Sequence, residues 1–174
     1  MKKLLATALA LALGGGAALA ETYTVTVTNT LSEELLAPIV VTGAENDKFI
    51  FTGGYVTPEA EDQILTGDPA KLVEAIGMNM AGVGHGMDGP PGVLLAPGDS
   101  VTFEVETEAT TLRILAMIAP TMVPDNYVTA VADVSAGHEV TVSLDRYDIG
   151  NDEGTKKITA VAESVGMVKI SRGM

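Results

Sequence analysis

The sequence predicts an all-β protein, built as an antiparallel β-sandwich with a short helical insertion. Three segments alternate apolar with polar residues, as half-buried strands do: TYTVTVTNT (22–30), SVTFEVE (100–106) and GHEVTVSL (137–144). Turn-forming sequences such as APGDS (96–100) separate the apolar segments. A series of about eight short strands joined by tight turns is typical of a sandwich.

The other strands are predicted from segments that are shorter or more continuously apolar. These are LLAPIVVT (35–42), KFIF (48–51), TLRILAMI (111–118) and NYVTAVAD (126–133). Pro38 lacks a backbone N–H, which indicates an edge position or a bulge in the first of these strands. The segment ITAVAESVGMVKI (158–170) fits either a last strand or an amphipathic helix.

The helical insertion is predicted from cap signals in the middle of the chain. Thr57-Pro58 and Asp68-Pro69 each place an N-cap residue before a proline at the first helical position. A glycine follows each segment where a helix C-cap belongs. Two short helices are therefore expected, near 58–65 and 69–76.

The chain begins with MKKLLATALALALGGGAALA, in which two lysines precede an apolar run that ends in an A-x-A sequence. This pattern predicts a secretory signal peptide over residues 1–20, cleaved before Glu21. The expected mature domain, residues 21–174, has 174 − 20 = 154 residues, enough for one domain with a hydrophobic core. It contains no cysteine and no apolar stretch long enough to span a membrane. We therefore expect a secreted or periplasmic protein without disulfides or a transmembrane segment.

The chain is strongly acidic. Its formal net charge of −13 becomes −13 − 2 = −15 when Lys2 and Lys3 leave with the signal peptide. No basic cluster offsets this charge, so nucleic-acid binding is not expected. Divalent cations are the natural small partners of such a surface, although acidity also serves solubility alone in many secreted proteins.

An enzymatic function is not expected. The chain has no cysteine and two histidines, and no serine lies in a G-x-S-x-G motif. Paired acids could serve a carbohydrate-active enzyme, but no feature nominates the pair, and the chain has no tryptophan for binding sugar. His138 is interpreted as an ordinary strand histidine, and GVGHG (82–86) lacks the flanking strand and helix of a phosphate-binding loop.

The segment DRYDIGNDEG (145–154) offers four acidic side chains and an asparagine around a glycine. Calcium takes about six to eight oxygen ligands, and a glycine bend lets a short loop fold carboxylates around one ion. The lack of sulfur and imidazole favours a hard cation over zinc or copper. The spacing is not that of an EF-hand, because Gly150 falls at the third ligand position when Asp148 is counted first. A solvated acidic turn is the alternative interpretation.

A second loop, APTMVPDNYV (119–128), offers Asp125 and Asn126 after Pro124. Together, VPDNYV and YDIGNDEG resemble the spondin domain, a module of extracellular matrix proteins that also occurs as a stand-alone secreted bacterial protein. Further segments follow one another in the order that the family has: YTVTVTNTL, LLAPIVVTG, FTGGYVTPEAEDQILTGDPAKL and LAPGDSVTFEV.

The resemblance implies a C2-like antiparallel β-sandwich that binds calcium through aspartates of the two loops. Matched residue by residue, the ligands that it implies are Asp125, Asp148 and Asp152. Asp145 and Glu153 are then expected to support these ligands or to face solvent. The resemblance also implies a role in adhesion or protein interaction, with an extracellular protein or glycan as partner. The cysteines and tryptophans of the matrix proteins are missing here, so functions that depend on them are not implied.

A different function is suggested by GMNMAGVGHGMDG (77–89). Met78, Met80, His85 and Met87 are soft ligands suited to Cu(I), which predicts a periplasmic copper-binding protein. The competing interpretation is that these methionines fill gaps under a long loop beside the helices.

Overall fold

The computed structural model of the protein describes residues 20–119, 125–135 and 137–173. The predicted signal peptide therefore lies outside the described residues except for Ala20, and so does the 120–124 part of the second loop. The strands are β1 (Glu21–Asn29), β2 (Leu35–Leu36), β3 (Ile39–Gly43), β4 (Phe51–Thr52), β5 (Tyr55–Val56), β6 (Ala81–Gly84), β7 (Ser100–Thr107), β8 (Thr111–Ala119), β9 (Asn126–Asp133), β10 (Glu139–Asp148) and β11 (Thr159–Arg172). The helices are a 3₁₀ helix (Ala44–Phe49), α1 (Pro58–Thr66) and α2 (Ala70–Ile76).

Most strands belong to one antiparallel sheet with the order β6-β3-β8-β9-β10-β11-β1-β7, while β2 pairs with β8 and β4 pairs with β5. The two ends of this sheet approach each other. A Cβ atom added to Gly82 of β6 would lie 2.6 Å from Val105 Cγ2 of β7, and one added to Gly84 would lie 2.2 Å from Phe103 Cε1. The sheet thus curls until it nearly closes, and the predicted all-β sandwich with a short helical insertion is confirmed.

The core has two main parts, which lie on opposite faces of β8. Leu112 and Ile114 point into the interior of the curled sheet. Leu115 instead packs with Ile64 and Leu72 beneath the two helices. Because β8 is buried on both faces, its sequence is continuously apolar rather than alternating.

The predicted boundaries differ from the structure at two segments. Pro38 divides the strand predicted over 35–42 into β2 and β3, whereas an edge position or a bulge is expected from the sequence; β3 lies between β6 and β8 in the sheet. The predicted strand 48–51 is wrong, because a 3₁₀ helix ends at Phe49 and leaves a two-residue strand after it. Within this 3₁₀ helix, the Asp47 carboxylate forms an ion pair with Arg113 of β8 at 2.6 Å. The ion pair holds the helix against the sheet. The segment 158–170 is a strand, which decides between the two alternatives.

Both predicted helices are present, although α2 begins at Ala70, one residue later than expected, so that Pro69 and not Asp68 is its N-cap residue. The backbone N–H of Ala60 donates to Thr57 Oγ1 at 3.3 Å, and that of Ala70 donates to Asp68 Oδ1 at 2.9 Å. Gly67 ends α1 with a φ of 77°, a left-handed conformation that glycine adopts without steric cost. No helix in the described ranges has the length and apolarity needed to cross a membrane.

Candidate metal centre

The two predicted ligand loops meet at one end of the sheet because β9 and β10 are paired there. Asn126 lies opposite Asp148, and Tyr127 lies opposite Tyr147. The two tyrosine rings stack with 5.6 Å between centroids and 25° between planes, which fixes the strand ends side by side. Burial and the neighbouring Tyr147 raise the pKa of Tyr127, so its phenol stays neutral. Residues just before β9 and just after β10 therefore become neighbours.

Asp125 is the centre of this arrangement. Its side chain is 0% exposed. The backbone N–H groups of Asn151 and Asp152 donate to Asp125 Oδ2 at 3.1 and 3.3 Å, and the N–H of Ile149 donates to its carbonyl oxygen at 3.1 Å. A buried carboxylate needs such donors, because an uncompensated buried charge is costly. The acidic loop thus wraps around Asp125.

The Asn126 amide joins the two loops through side chains. Its Nδ2 donates to Asp125 Oδ1 at 3.1 Å and to Asp148 Oδ2 at 3.0 Å. Arg146 Nε donates to Asn126 Oδ1 at 2.7 Å, while its Nη1 binds the carboxylate of Glu34. Since an arginine can only donate, it forces the amide oxygen toward itself and the amide nitrogen toward the two carboxylates.

Gly150 makes the bend in the acidic loop. It has a φ of 66°, and a Cβ atom there would lie 2.1 Å from Thr155 Oγ1. Its carbonyl oxygen accepts from the N–H groups of Thr155 and Lys156 at 3.0 and 2.9 Å, and its own N–H donates to Asp148 Oδ1. The glycine is therefore required both for its conformation and for the space it leaves.

Three carboxylates converge at this bend. Asp125, Asp152 and Glu153 each place an oxygen within 4.8 Å of the other two. A hydrogen bond shared with Asp152, together with the charge of that residue and of Asp148, raises the pKa of Glu153. Such a set of oxygen donors, with one buried and two exposed members, suits a hard divalent cation.

Two of the three ligands implied by the resemblance lie in this group, namely Asp125 and Asp152. Asp148 lies beside it, with its carboxylate held by the Gly150 N–H and by Asn126. The three carboxylates that converge within 4.8 Å do not include that of Asp148. Its role as a ligand stays a prediction.

Glu153 belongs to the group although the sequence assigns it a supporting or solvent-facing role. The sequence signal for including Glu153 is its position directly after Asp152, because a tight turn can present two consecutive carboxylates to one point. Asp145 lies elsewhere and accepts a hydrogen bond from the Ser164 N–H at 3.0 Å. This contact joins β10 to β11, so the expected support of the metal ligands by Asp145 stays a prediction.

The Met/His segment has a different geometry. Strand β6 separates Met78 and Met80 from His85 and Met87, and it is paired with β3. At about 3.3 Å per residue, the Cα atoms of Met80 and His85 lie roughly 16 Å apart. One Cu(I) ion cannot bind both ends of the segment while this strand stays paired. The gap-filling interpretation is wrong for Met78 and Met87, which are 77% and 90% exposed.

Comparison with models of known protein families gives no match, and no curated protein matches the chain. The resemblance to spondin domains therefore stays a prediction from the sequence segments alone.

Proposed function

We propose that the protein is a calcium-binding β-sandwich module that acts in adhesion or protein interaction. The observation that carries this proposal is the convergence of Asp152 and Glu153 on the buried carboxylate of Asp125. Carboxylates that approach so closely repel one another, and a divalent cation would remove that repulsion.

Calcium suits this set of donors better than softer metals do. All three side chains offer oxygen, and one exposed edge of the group leaves room for water to complete a coordination shell of about six to eight ligands. Zinc and copper sites usually contain sulfur or imidazole ligands. Neither histidine of the chain belongs to the group.

Asp125, Asp152 and Glu153 would hold the ion, and Asp148 is the fourth candidate. The ion would tie the loop before β9 to the loop after β10. Since Asp152 and Glu153 are exposed, the surface that the ion orders would be available to a partner. In keeping with the predicted signal peptide, we propose an extracellular or periplasmic protein or glycan as that partner.

The melting temperature of the full chain with excess calcium and then with chelator tests the proposal. Calcium binds the native state, so 100-fold excess over Kd should stabilise the fold by about 2.7 kcal/mol. Magnesium at equal concentration is the control for ionic strength, and it should give a smaller shift because it demands a tighter octahedral site. An unchanged melting temperature, together with no heat of calcium binding in calorimetry, would refute calcium binding.

A further inference from the structure

Arg146 lies next to the proposed metal centre and contacts it through one asparagine. Its Nε donates to Asn126 Oδ1 at 2.7 Å, and its Nη1 donates to the two carboxylate oxygens of Glu34 at 3.1 and 3.0 Å. The Arg146 side chain is 21% exposed, so most of it is packed against the protein. Within the described residues the guanidinium forms no hydrogen bond with a carboxylate of the metal centre. Its contact with the centre is therefore made through Asn126.

The Asn126 amide is held in one orientation. Its Nδ2 carries two hydrogens, and it donates to Asp125 Oδ1 at 3.1 Å and to Asp148 Oδ2 at 3.0 Å. Turning the amide over would place Oδ1 against two carboxylates, and it would place Nδ2 against a guanidinium that can only donate. All three hydrogen bonds of the amide would then be lost. Arg146 thus keeps both amide hydrogens directed at the two aspartates, which lie on the two loops of the site.

The charge of Arg146 is offset on its other side. A positive side chain near a cation site weakens it, because like charges repel. Arg146 forms an ion pair of 3.0 Å with Glu34, which directly precedes β2. Both partners are partly buried, so salt screens this pair less than it screens an exposed one. The pair keeps the hydrogen-bond donor of Arg146 in place while it adds little net charge beside the site.

We propose that Arg146 is a positioning residue of the calcium site, acting through Asn126; this inference rests on the proposed function. The bridge from Asn126 to Asp125 and Asp148 joins the two loops before an ion arrives. Ligands that are already ordered lose less conformational freedom on binding, so they bind more tightly. Residues that orient metal ligands in this way typically contribute about 10- to 100-fold to metal affinity.

Calorimetric titration of the full chain with calcium, wild type against Arg146→Met, tests the inference through the sign of the change. The variant removes a positive charge, so electrostatics alone would lower the Kd for calcium. Loss of positioning acts in the opposite direction, and we expect the Kd to rise about tenfold. Arg113→Met is the matched control, because it removes the same charge from an ion pair of similar burial, with Asp47. The Kd of this control should not rise.

Arg146→Lys keeps the charge and provides a second test should Arg146→Met fail to fold. A lysine lacks the planar fork that reaches Asn126 and Glu34 together, so the Kd should rise here as well. NMR of the calcium-free protein gives a separate readout: the side-chain amide hydrogens of Asn126 should exchange with water slowly in the wild type and faster in the Arg146 variants.

The outcomes separate this inference from the proposed function. Wild-type binding of calcium with no rise of Kd in Arg146→Lys would overturn the inference alone. Equal rises in Arg146→Met and Arg113→Met would do the same, because they would show general destabilisation, and so would unchanged exchange of the Asn126 amide. Absence of calcium binding in the wild type would refute the proposed function and this inference with it.

Discussion

The acidic loop 145–154 and the Met/His segment 77–89 each carry several side chains able to bind a metal, but the fold arranges them in opposite ways. The acidic loop bends at Gly150 and brings Asp152 and Glu153 to the buried Asp125. The Met/His segment contains an extended strand, which holds its ligands apart. A metal site requires ligands that meet at one point. The bend at Gly150 brings ligands together, whereas the extended strand β6 holds them apart.

The largest effect is expected from Asp125→Asn. The variant keeps the shape of the side chain but removes the buried charge that binds the loop N–H groups. We expect it to abolish the calcium-dependent shift in melting temperature and to destabilise the calcium-free protein by about 1–3 kcal/mol. Chemical denaturation with calcium and with chelator measures both. A full calcium response in this variant would exclude Asp125 as a ligand.

The second-largest effect is expected on calcium affinity, when the carboxylates of the acidic loop are neutralised one at a time. Asp152→Asn and Glu153→Gln should each weaken calcium binding about tenfold or more, because calcium affinity depends on ligand charge. Asp148→Asn should weaken it less if Asn126 keeps its place between the aspartates. Calcium Kd values from calorimetry rank the three variants. A larger loss of calcium affinity in Asp148→Asn than in the other two would make Asp148 the principal ligand.

A smaller effect is expected from pH in the calcium-free protein. The pKa of Glu153 is raised in the folded chain, mainly by its hydrogen bond with Asp152. The extra bound proton stabilises the folded state below the usual glutamate pKa, and this contribution is lost as the pH rises through the raised value. The melting temperature between pH 4 and 7, compared with Glu153→Gln, measures the difference. Parallel curves for the two proteins would contradict it.

No appreciable effect is expected in the Met/His segment. Met80→Leu combined with His85→Ala changes exposed side chains on either side of β6, so stability should change by less than about 0.5 kcal/mol. Copper affinity should be unchanged as well, because the two residues are too far apart to share an ion. A Cu(I) titration checks this, and a clear loss of affinity would support the copper-binding alternative.

Much of the fold could be predicted because strand periodicity and helix caps are local properties. The alternation in 22–30 and the caps at Thr57 and Asp68 correspond to β1 and the two helices. The failure at 48–51 has a long-range cause, since Asp47 is held by Arg113 from a distant strand. Strand β6 is absent from the sequence prediction. Its glycines weaken the strand signal, and the reason for them is the close approach of β7, which the sequence does not show.

The candidate site could be predicted in part. Composition and resemblance single out Asp125 and Asp152, which do lie together. The position of Asn126 between Asp125 and Asp148 could not be predicted, because it depends on Arg146 fixing the amide from the paired strand. Hydrogen bonds between residues far apart in sequence decide which carboxylates share one point.

The approach of β6 to β7 has a mechanical consequence. Neighbouring strands elsewhere in the sheet are joined by ladders of hydrogen bonds, whereas these two are the free ends of the strand order and meet through side-chain packing around Gly82 and Gly84. Separating them breaks no ladder. The curled sheet is therefore held together at this junction by side-chain packing, which depends on the space that Gly82 and Gly84 leave for Val105 and Phe103.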